Sequence, residues 1–207
     1  MKTNRKFVCL LLLCSITSTA QVVQTDRGRW QVALQLSNLS YQSTSSTNFI
    51  SSAGTLTPSV GYFFVKNLLV GVGIPLSIST IKSPNAFNDT KSGIGFAPFF
   101  QYYIGSAILK PYVGASYSYS FDNYKFRYEN PRSTYSKEGT SNAFIPTIGL
   151  AYFVNQNVAL NAGIVYSVST VELNGPTVTT PTVIIEASKS EVRSLSLSFG
   201  VQVAIGR

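Results

Sequence analysis

Large apolar side chains recur at every second position over stretches of about ten residues, and this alternation constrains the fold more than any other feature of the chain. The clearest stretch runs from Leu195 to Ile205, where Leu, Phe, Val or Ile alternate with Ser, Gly, Gln and Ala. Similar stretches begin at Leu68 and Val158. Successive side chains of a β-strand point to opposite faces of a sheet. The chain is therefore predicted to form strands that each have one apolar face.

Eight such strands are predicted, and the connections between them alternate between short and long. The predicted strands begin near Arg29, Leu56, Leu68, Gly93, Lys110, Asn142, Asn157 and Arg193. The short connections are residues 64–67, 105–106 and 153–157, and the long polar ones are residues 42–54, 80–92, 122–141 and 170–192. This order places all long loops at one end and both termini at the other. It predicts an all-β fold, an eight-stranded antiparallel up-and-down barrel.

Five prolines fall within these predicted strands, at positions 58, 75, 98, 111 and 146. Proline has no amide hydrogen to donate to the ladder between two strands. We therefore expect a bulge or an earlier strand end at each of these positions.

The composition of the second strand face indicates which side of the barrel meets water. A soluble barrel or sandwich with an apolar core would have the same alternation, but its outer face would carry many charges. Here the second face consists of Gly, Ser, Ala, Thr and Asn, and only 12% of the chain is charged. Small uncharged side chains suit the crowded interior of a small barrel, so the large apolar side chains are expected to face lipid.

Aromatic residues gather at both ends of the predicted strands. Those near the short turns are Tyr62, Phe64, Tyr102 and Tyr152, and those toward the long loops are Tyr117, Tyr119, Phe121 and Tyr166. Two aromatic girdles flank the apolar band of a membrane barrel. Together with strand lengths suited to a tilted crossing, they predict a transmembrane β-barrel.

The first twenty residues have the composition of a secretory signal peptide. A basic start precedes an apolar run over residues 7–13, and the small residues Ser18 and Ala20 stand at −3 and −1 of a predicted cleavage site. The run is shorter than the ~20 apolar residues that a membrane-spanning helix needs. The alternatives are a buried N-terminal helix and a lipoprotein with its lipid on Cys14, although Leu13 is larger than the residue that usually precedes a lipidated cysteine.

The chain has no histidine, and its two cysteines, Cys9 and Cys14, both precede the predicted cleavage site. Chemistry that needs an imidazole, such as Ser-His-Asp hydrolysis or His-ligated zinc, is excluded. After cleavage the chain would also lack thiol nucleophiles and disulfides. Its few carboxylates lie in loops or at strand ends, where a solvated charge is the usual role. We therefore expect a protein that is not an enzyme and has no cofactor or bound metal.

The whole pattern resembles the outer-membrane β-barrel domain proteins, the small OmpA- and OmpX-like barrels of Gram-negative bacteria. The resemblance rests on the signal peptide, the eight amphipathic strands, the order of short and long connections, and the segment GYFFVKNLLVGVG at residues 61–73. The predicted organisation is a signal peptide over residues 1–20, a short N-terminal lead over 21–27 and the barrel over 28–207. The resemblance implies export to the outer membrane, outer-membrane lipid as surroundings, and periplasmic chaperones and the barrel-assembly machinery as partners during biogenesis.

Basic residues near the outer strand ends are the candidate binding residues. They are Lys91, Lys125, Arg127, Lys189 and Arg193. Lysine and arginine pair with phosphates, and lipopolysaccharide phosphates are the nearest anions outside a Gram-negative cell. The alternative is that these charges only keep the loops hydrated. Nucleic acid is not an expected partner of an exported membrane barrel, despite the net charge of +8.

The bulky residues of the predicted lumen lie near the first two short turns. They are Phe63, Leu69, Phe99, Gln101, Tyr103 and Tyr112, whereas Gly and Ser line most of the remaining lumen. We therefore predict a lumen that these side chains close at the turn end and that is hydrated toward the loops. Side chains about fill the interior of an eight-stranded barrel, so a wide pore is not expected.

The leading functional hypothesis is a structural anchor that presents four long loops for surface or lipopolysaccharide interaction. Residues 122–141 are the strongest candidate contact because they mix Tyr124 and Phe126 with Lys125 and Arg127, a composition typical of binding surfaces. The alternative for this segment is a hairpin that merely continues past the membrane. The alternative function is a small passive channel for ions or small solutes.

Overall fold

The computed structural model describes residues 23–44, 49–83, 87–129, 132–173 and 188–206. These residues form one antiparallel sheet of nine strand segments. The segments are β1 Trp30–Thr44, β2 Phe49–Val65, β3 Leu68–Gly73, β4 Leu76–Ser83, β5 Phe87–Tyr103, β6 Leu109–Glu129, β7 Arg132–Phe153, β8 Val158–Leu173 and β9 Ser188–Ile205, preceded by a 3₁₀ turn over Val23–Thr25. No helix in this part of the chain is long and apolar enough to cross a membrane. The predicted signal peptide lies outside the described residues.

The nine segments occupy eight strand positions, because β3 and β4 are two halves of one strand. Ile74 and Pro75 separate them, and the register to β2 and to β5 is the same on both sides of this break. The Ile74 amide donates to the Pro58 carbonyl (2.9 Å), and the Gly95 amide donates to the Pro75 carbonyl (3.0 Å), so the ladder continues through the break. All five in-strand prolines are described, and only Pro75 coincides with a strand break. The ladder to one neighbouring strand skips Pro98 and Pro146, but the register does not shift there. The expectation of a bulge or an earlier strand end was therefore wrong at the other four positions.

The sheet closes into a barrel because β1 pairs with both β2 and β9. The pairs between β1 and β9 run from Trp30 with Ile205 to Ser37 with Ser198. Every other strand position is paired with its two neighbours in chain order. The predicted all-β, antiparallel up-and-down architecture is therefore confirmed.

A bulge in β1 marks the height at which the barrel wall opens. The register between β1 and β2 shifts between Ser37 and Ser40, and Asn38 has a φ of 54°. Above this point β1 still pairs with β2, but it no longer pairs with β9, although both strands are described there. A groove of about 660 Å³ separates them, with apolar walls that include Leu39 and Leu197. The hydrogen bond from Ser196 Oγ to Asn38 Oδ1 (2.8 Å) crosses its base.

The predicted long loops are largely strand. β2, β5, β7 and β9 begin five to ten residues earlier than predicted, at Phe49, Phe87, Arg132 and Ser188. Paired strands thus fill most of the segments 42–54, 80–92 and 122–141, and the residues that join them at 45–48, 84–86, 130–131 and 174–187 lie outside the described part. The polar composition of these segments therefore does not indicate a lack of strand structure.

Side chains alternate between the two faces of the wall as predicted. Large apolar residues such as Leu34, Ile148 and Phe199 are about half exposed on the outer face. Near the short turns Trp30 packs on Tyr62, with ring centroids 5.1 Å apart, and toward the hairpins Tyr119 and Phe121 pack at 5.3 Å, both pairs lying within the predicted aromatic girdles. The ten residue-to-residue steps from Leu109 to Tyr119 span ~33 Å along the strand, or ~25 Å of membrane at a tilt of ~40°.

Cysteines that replace Leu34 and Val201 are expected to form a disulfide. The two residues are directly paired across β1 and β9, and paired Cα atoms lie within the range that a disulfide spans. Residues 21–207 contain no other cysteine. The oxidised chain, boiled in SDS without reductant, should migrate faster than the reduced chain because the bond holds most of it in a loop. A control pair at Leu34 and Leu197, offset by ~13 Å, should not cross-link; efficient cross-linking of that pair would contradict the register.

Candidate functional site in the barrel lumen

A layer of large side chains fills the lumen at the turn end. Its buried members are Phe63, Leu69, Tyr103, Tyr112, Ala151, Phe153 and Ala159. Tyr103 lies at the centre, and its ring centroid is 5.9 Å from that of Phe63, 5.9 Å from that of Tyr112 and 6.2 Å from that of Phe153. These four aromatic residues come from β2, β5, β6 and β7, so the layer crosses the barrel from one wall to the other.

Hydrogen bonds hold the central ring of this layer in place. The Tyr103 hydroxyl donates to Gln202 Oε1 at 2.9 Å and lies 3.3 Å from Gln31 Oε1. Gln202 Oε1 also accepts from Asn161 Nδ2 at 3.0 Å. Gln31 and Gln202 belong to β1 and β9, so the polar end of Tyr103 is fixed at the seam that closes the barrel.

The N-terminal lead folds under the turn end and covers the aromatic layer. Gln24 and Thr25 are buried. The Thr25 carbonyl accepts from the Asn67 amide (2.8 Å), and its hydroxyl accepts from Lys110 Nζ (2.8 Å). The same ammonium lies 5.1 Å from the centroid of the Phe153 ring. The lead is thereby joined to β6 and to the turn between β2 and β3.

Arg29 ties the two termini of the barrel to a third turn. Its guanidinium donates to the Gln156 carbonyl (2.9 Å), to Asn157 Oδ1 (2.6 Å) and to the Gly206 carbonyl (3.1 Å). Arginine suits this position because its planar fork carries five donors in fixed directions. The buried residue thus joins the start of β1, the end of β9 and the turn before β8.

Two glycines on the next two strands, β7 and β8, make room for the Tyr112 ring. A methyl group at Gly149 would lie 2.5 Å from Tyr112 Cζ, and one at Gly163 would lie 2.7 Å from the Tyr112 hydroxyl oxygen. Such separations are far below van der Waals contact. Glycine at both positions is therefore required if Tyr112 is to lie across the lumen.

A small polar cavity lies above the layer, toward the hairpins. Its volume is about 100 Å³, and its lining includes Gln35, Thr57, Ser59, Gln101 and Asn161. This volume suits a few water molecules. The lumen therefore changes from aromatic and filled at the turn end to polar and partly open above it.

The predicted closure residues fall into two groups. Phe63, Leu69, Tyr103 and Tyr112 lie together in the buried layer, and Phe99 packs against it. Gln101 instead lines the polar cavity above.

Sequence reasoning missed several members of the closure, among them Thr25, Arg29, Lys110, Phe153 and Gln202. Lys110 and Gln202 occupy inward positions of predicted strands at the turn end, so the alternation contains the signal for them. Phe153 opens the predicted short connection 153–157 and continues the inward alternation of the strand before it. Nothing in the pattern indicates that the lead around Thr25 folds back under the barrel.

Lys91, predicted near the outer end of a strand, lies on the lumen side of β5, where its Nζ is 2.8 Å from Asp122 Oδ2 of β6. Burial lowers the pKa of Lys91, but the hydrogen bond and negative charge of Asp122 outweigh burial, so its pKa lies above the ordinary lysine value. Lys91 points inward because β5 continues through the predicted loop over residues 80–92 and its alternation places position 91 on the inner face.

Lys189 and Arg193 lie on the outer face of β9, and each is paired with a carboxylate. Lys189 Nζ is 2.7 Å from Glu172 Oε1, and Arg193 Nε is 2.8 Å from Glu191 Oε1. The hydrogen bond to Glu172 raises the pKa of Lys189. These two cations are therefore largely balanced within the protein.

Lys125 and Arg127 lie on the exposed outer face of β6. Within the described part of the chain neither forms a salt bridge. Of the five predicted contacts, these two present uncompensated positive charge to the outside.

The comparison with protein families identifies the architecture. The model of the outer membrane protein beta-barrel domain matches residues 7–206. The chain belongs to this family. In such barrels the short turns face the periplasm and the longer connections face the cell exterior. The aromatic layer of this outer membrane barrel therefore lies at its periplasmic end, and the tall hairpins lie outside.

Solved structures of other outer membrane proteins share the fold. The crystal structure of OprG from Pseudomonas aeruginosa has a TM-score of 0.54 at 13% identity, covering 90% of this chain and 100% of that one. The solid-state NMR structure of AlkL in DMPC bilayers has a TM-score of 0.50 at 18% identity, covering 88% and 92% of the two chains. A search of curated proteins found no match. These likenesses establish the fold and nothing finer.

The contact between Gly163 and Tyr112 leads to a stability prediction. Gly163→Ala should destabilise the barrel by ~1–3 kcal/mol, because the new methyl overlaps the Tyr112 hydroxyl. In a Tyr112→Phe background the same change should cost much less, because the hydroxyl is absent. Urea unfolding in lipid vesicles, followed by the fluorescence of the single tryptophan, Trp30, measures both costs. Equal costs in the two backgrounds would refute the contact.

Proposed function

We propose that this outer membrane barrel is a non-enzymatic anchor that presents its tall hairpins at the cell surface, with a lumen closed toward the periplasm. The observation that carries the proposal is the layer at the turn end, in which Tyr103 is fully buried and Thr25 covers the rim. The aromatic side chains leave little room for a solute to pass, and the central one, Tyr103, is held by hydrogen bonds to glutamines of β1 and β9. On the other side of the membrane, β6 and β7 extend well beyond the outer girdle and offer a paired, rigid surface for contacts.

The closure leads to a prediction about conductance. Residues 21–207 inserted into a planar lipid bilayer should give no stepwise ion current, because the layer interrupts the aqueous path. A variant that carries Tyr103→Ala and Tyr112→Ala and lacks residues 21–28 should conduct, because both the rings and the covering lead are then gone. Current steps recorded with both proteins measure the difference.

The matched control changes aromatic residues on the outer face. Tyr119→Ala with Phe121→Ala removes two rings of the outer girdle without touching the lumen, and this variant should remain silent. Equal currents through the unaltered and the opened protein would overturn the closed-lumen proposal.

A small passive channel is the second candidate function. The polar cavity of about 100 Å³ above the layer and the groove between β1 and β9 favour it, because the aromatic layer fills neither space. Conduction by the unaltered protein in the same bilayer measurement would support the channel over the anchor.

We also propose that Lys125 and Arg127 contact lipopolysaccharide phosphates. Both cations are exposed on the outer face of β6, beyond the outer girdle, and have no carboxylate partner among the described residues. Arginine and lysine form charge-assisted hydrogen bonds with phosphate oxygens. A protein that binds the hairpins would contact the same two cations.

Neutralising these two cations should weaken lipopolysaccharide binding. Lys125→Gln with Arg127→Gln is expected to reduce the affinity for lipopolysaccharide vesicles about tenfold, equivalent to ~1.4 kcal/mol. The matched control, Lys189→Gln with Arg193→Gln, should have a smaller effect because those cations are already paired with Glu172 and Glu191. Vesicle flotation at physiological salt measures both variants. An equal loss in the two variants would indicate a nonspecific response to net charge.

A further inference from the structure

Three neighbouring strands place two lysines on either side of one tyrosine in the outer lumen. Lys91 of β5 is paired with Tyr124 of β6, and Tyr124 is paired with Lys137 of β7. Directly paired residues of adjacent strands project from the same face of a sheet. That face is the lumen side, because Lys137 is only 6% exposed while Ser136 and Glu138 on either side of it are exposed.

Asp122 balances only one of these two lysines. It lies two residues before Tyr124 on β6, nearer the membrane, and is paired with Gly93 of β5 and Gly139 of β7. Its Oδ1 occupies the space that a side chain at position 93 would take, and its Oδ2 is 2.8 Å from Lys91 Nζ. On the other side, no Asp122 atom is among the three nearest neighbours of a Cβ built on Gly139. The carboxylate is therefore turned toward β5 and away from Lys137.

The Lys137 ammonium is buried without a compensating group. Within the described ranges its Nζ has no hydrogen-bond partner. A buried charge without a partner is strongly unfavourable. Asp89 is the other acid on this side of β5, one pair farther out, and burial raises the pKa of its carboxyl, so its negative charge is disfavoured there. The pocket around Tyr124 thus has two ammonium groups and, in Asp122, one carboxylate that is paired with Lys91 through Oδ2 and turned away from Lys137.

We propose that Lys137, with Lys91 and Tyr124, binds a small oxyanion that enters the lumen from the cell exterior. A phosphate or carboxylate group would accept hydrogen bonds from the Lys137 ammonium, which has three donors and uses none of them in the described structure. The stacked rings of Tyr124 and Phe126, 6.3 Å apart and 7° from parallel, form one wall beside it. The site lies beyond the outer girdle, so water-soluble anions reach it without crossing the aromatic layer.

Inorganic phosphate and acetate are the probes that test this site. Residues 21–207 would be folded in an uncharged maltoside detergent and titrated with each anion, with sodium chloride holding the ionic strength constant. Heat unfolding, followed by the mobility shift on SDS gels, measures binding because a ligand of the folded state raises the unfolding midpoint. We expect a saturable rise with at least one probe. A response to phosphate alone identifies a phosphate ligand, and a response to acetate alone identifies a carboxylate.

Two substitutions separate this site from a general effect of salt. Lys137→Met should abolish the saturable rise and should raise the midpoint measured without added anion, because an unpaired buried charge is removed. Lys82→Met removes one positive charge from the exposed outer face of β4, away from the lumen, and should retain the full response. The proposal is overturned if neither probe gives a saturable rise, or if Lys137→Met responds like the unaltered protein.

A third variant keeps the test decisive if Lys137→Met does not fold. Lys137→Arg keeps the positive charge and should bind the same probe within about tenfold of the unaltered protein. Calorimetric titration of the unaltered, Lys82→Met and Lys137→Gln proteins then gives the affinities directly. Equal affinities for Lys137→Gln and Lys82→Met would also overturn the proposal. None of these outcomes depends on whether the periplasmic end conducts.

Discussion

The structure depends on the hydrogen bonds between β1 and β9, because they remove the two edges that an open sheet would expose to lipid. Unpaired backbone groups in a membrane interior are costly, so strands cross it only as a closed barrel. Eight residue pairs form this seam, from Trp30 with Ile205 to Ser37 with Ser198. Where the seam ends, the side chains of Asn38 and Ser196 continue the contact between the two strands. The wall is thus complete at the periplasmic side and loosened toward the exterior.

Closing only eight strand positions leaves an interior that a single layer of aromatic residues fills. Tyr112 lies across the lumen only because Gly149 and Gly163 leave its ring space, and Tyr103 is fixed by glutamines of the first and last strands. The closure is therefore a property of the whole ring of strands. The lead around Thr25 adds a second cover, joined to the barrel through Lys110. Both features support a role for the barrel in holding the exterior hairpins.

Beyond the membrane the same strands no longer border lipid, and charged residues occur on both of their faces. Charges occur inside the extended lumen as well as outside it. Lys91, Asp122 and Lys137 lie on the inner face, whereas Lys125 and Arg127 lie on the outer face. Of the two acids on the inner face, Asp122 is paired with Lys91, and burial raises the pKa of Asp89. The outer set is the pair that we propose to contact lipopolysaccharide phosphates.

The sequence by itself determined the strand count, the face of each residue within the membrane, and the collection of Phe63, Tyr103 and Tyr112 at the turn end. These properties follow from alternation with period two, which is local and needs no knowledge of partners. Only the tertiary structure decided the bulge at Asn38 and the inward direction of Lys91, which pairs with Asp122. The same holds for the hydrogen bond between Lys110 and Thr25 of the N-terminal lead. Each of these depends on which distant residues the strand register brings together, and Thr25 and Lys110 are 85 positions apart. Register is determined by the closure of the whole ring, which no local pattern encodes.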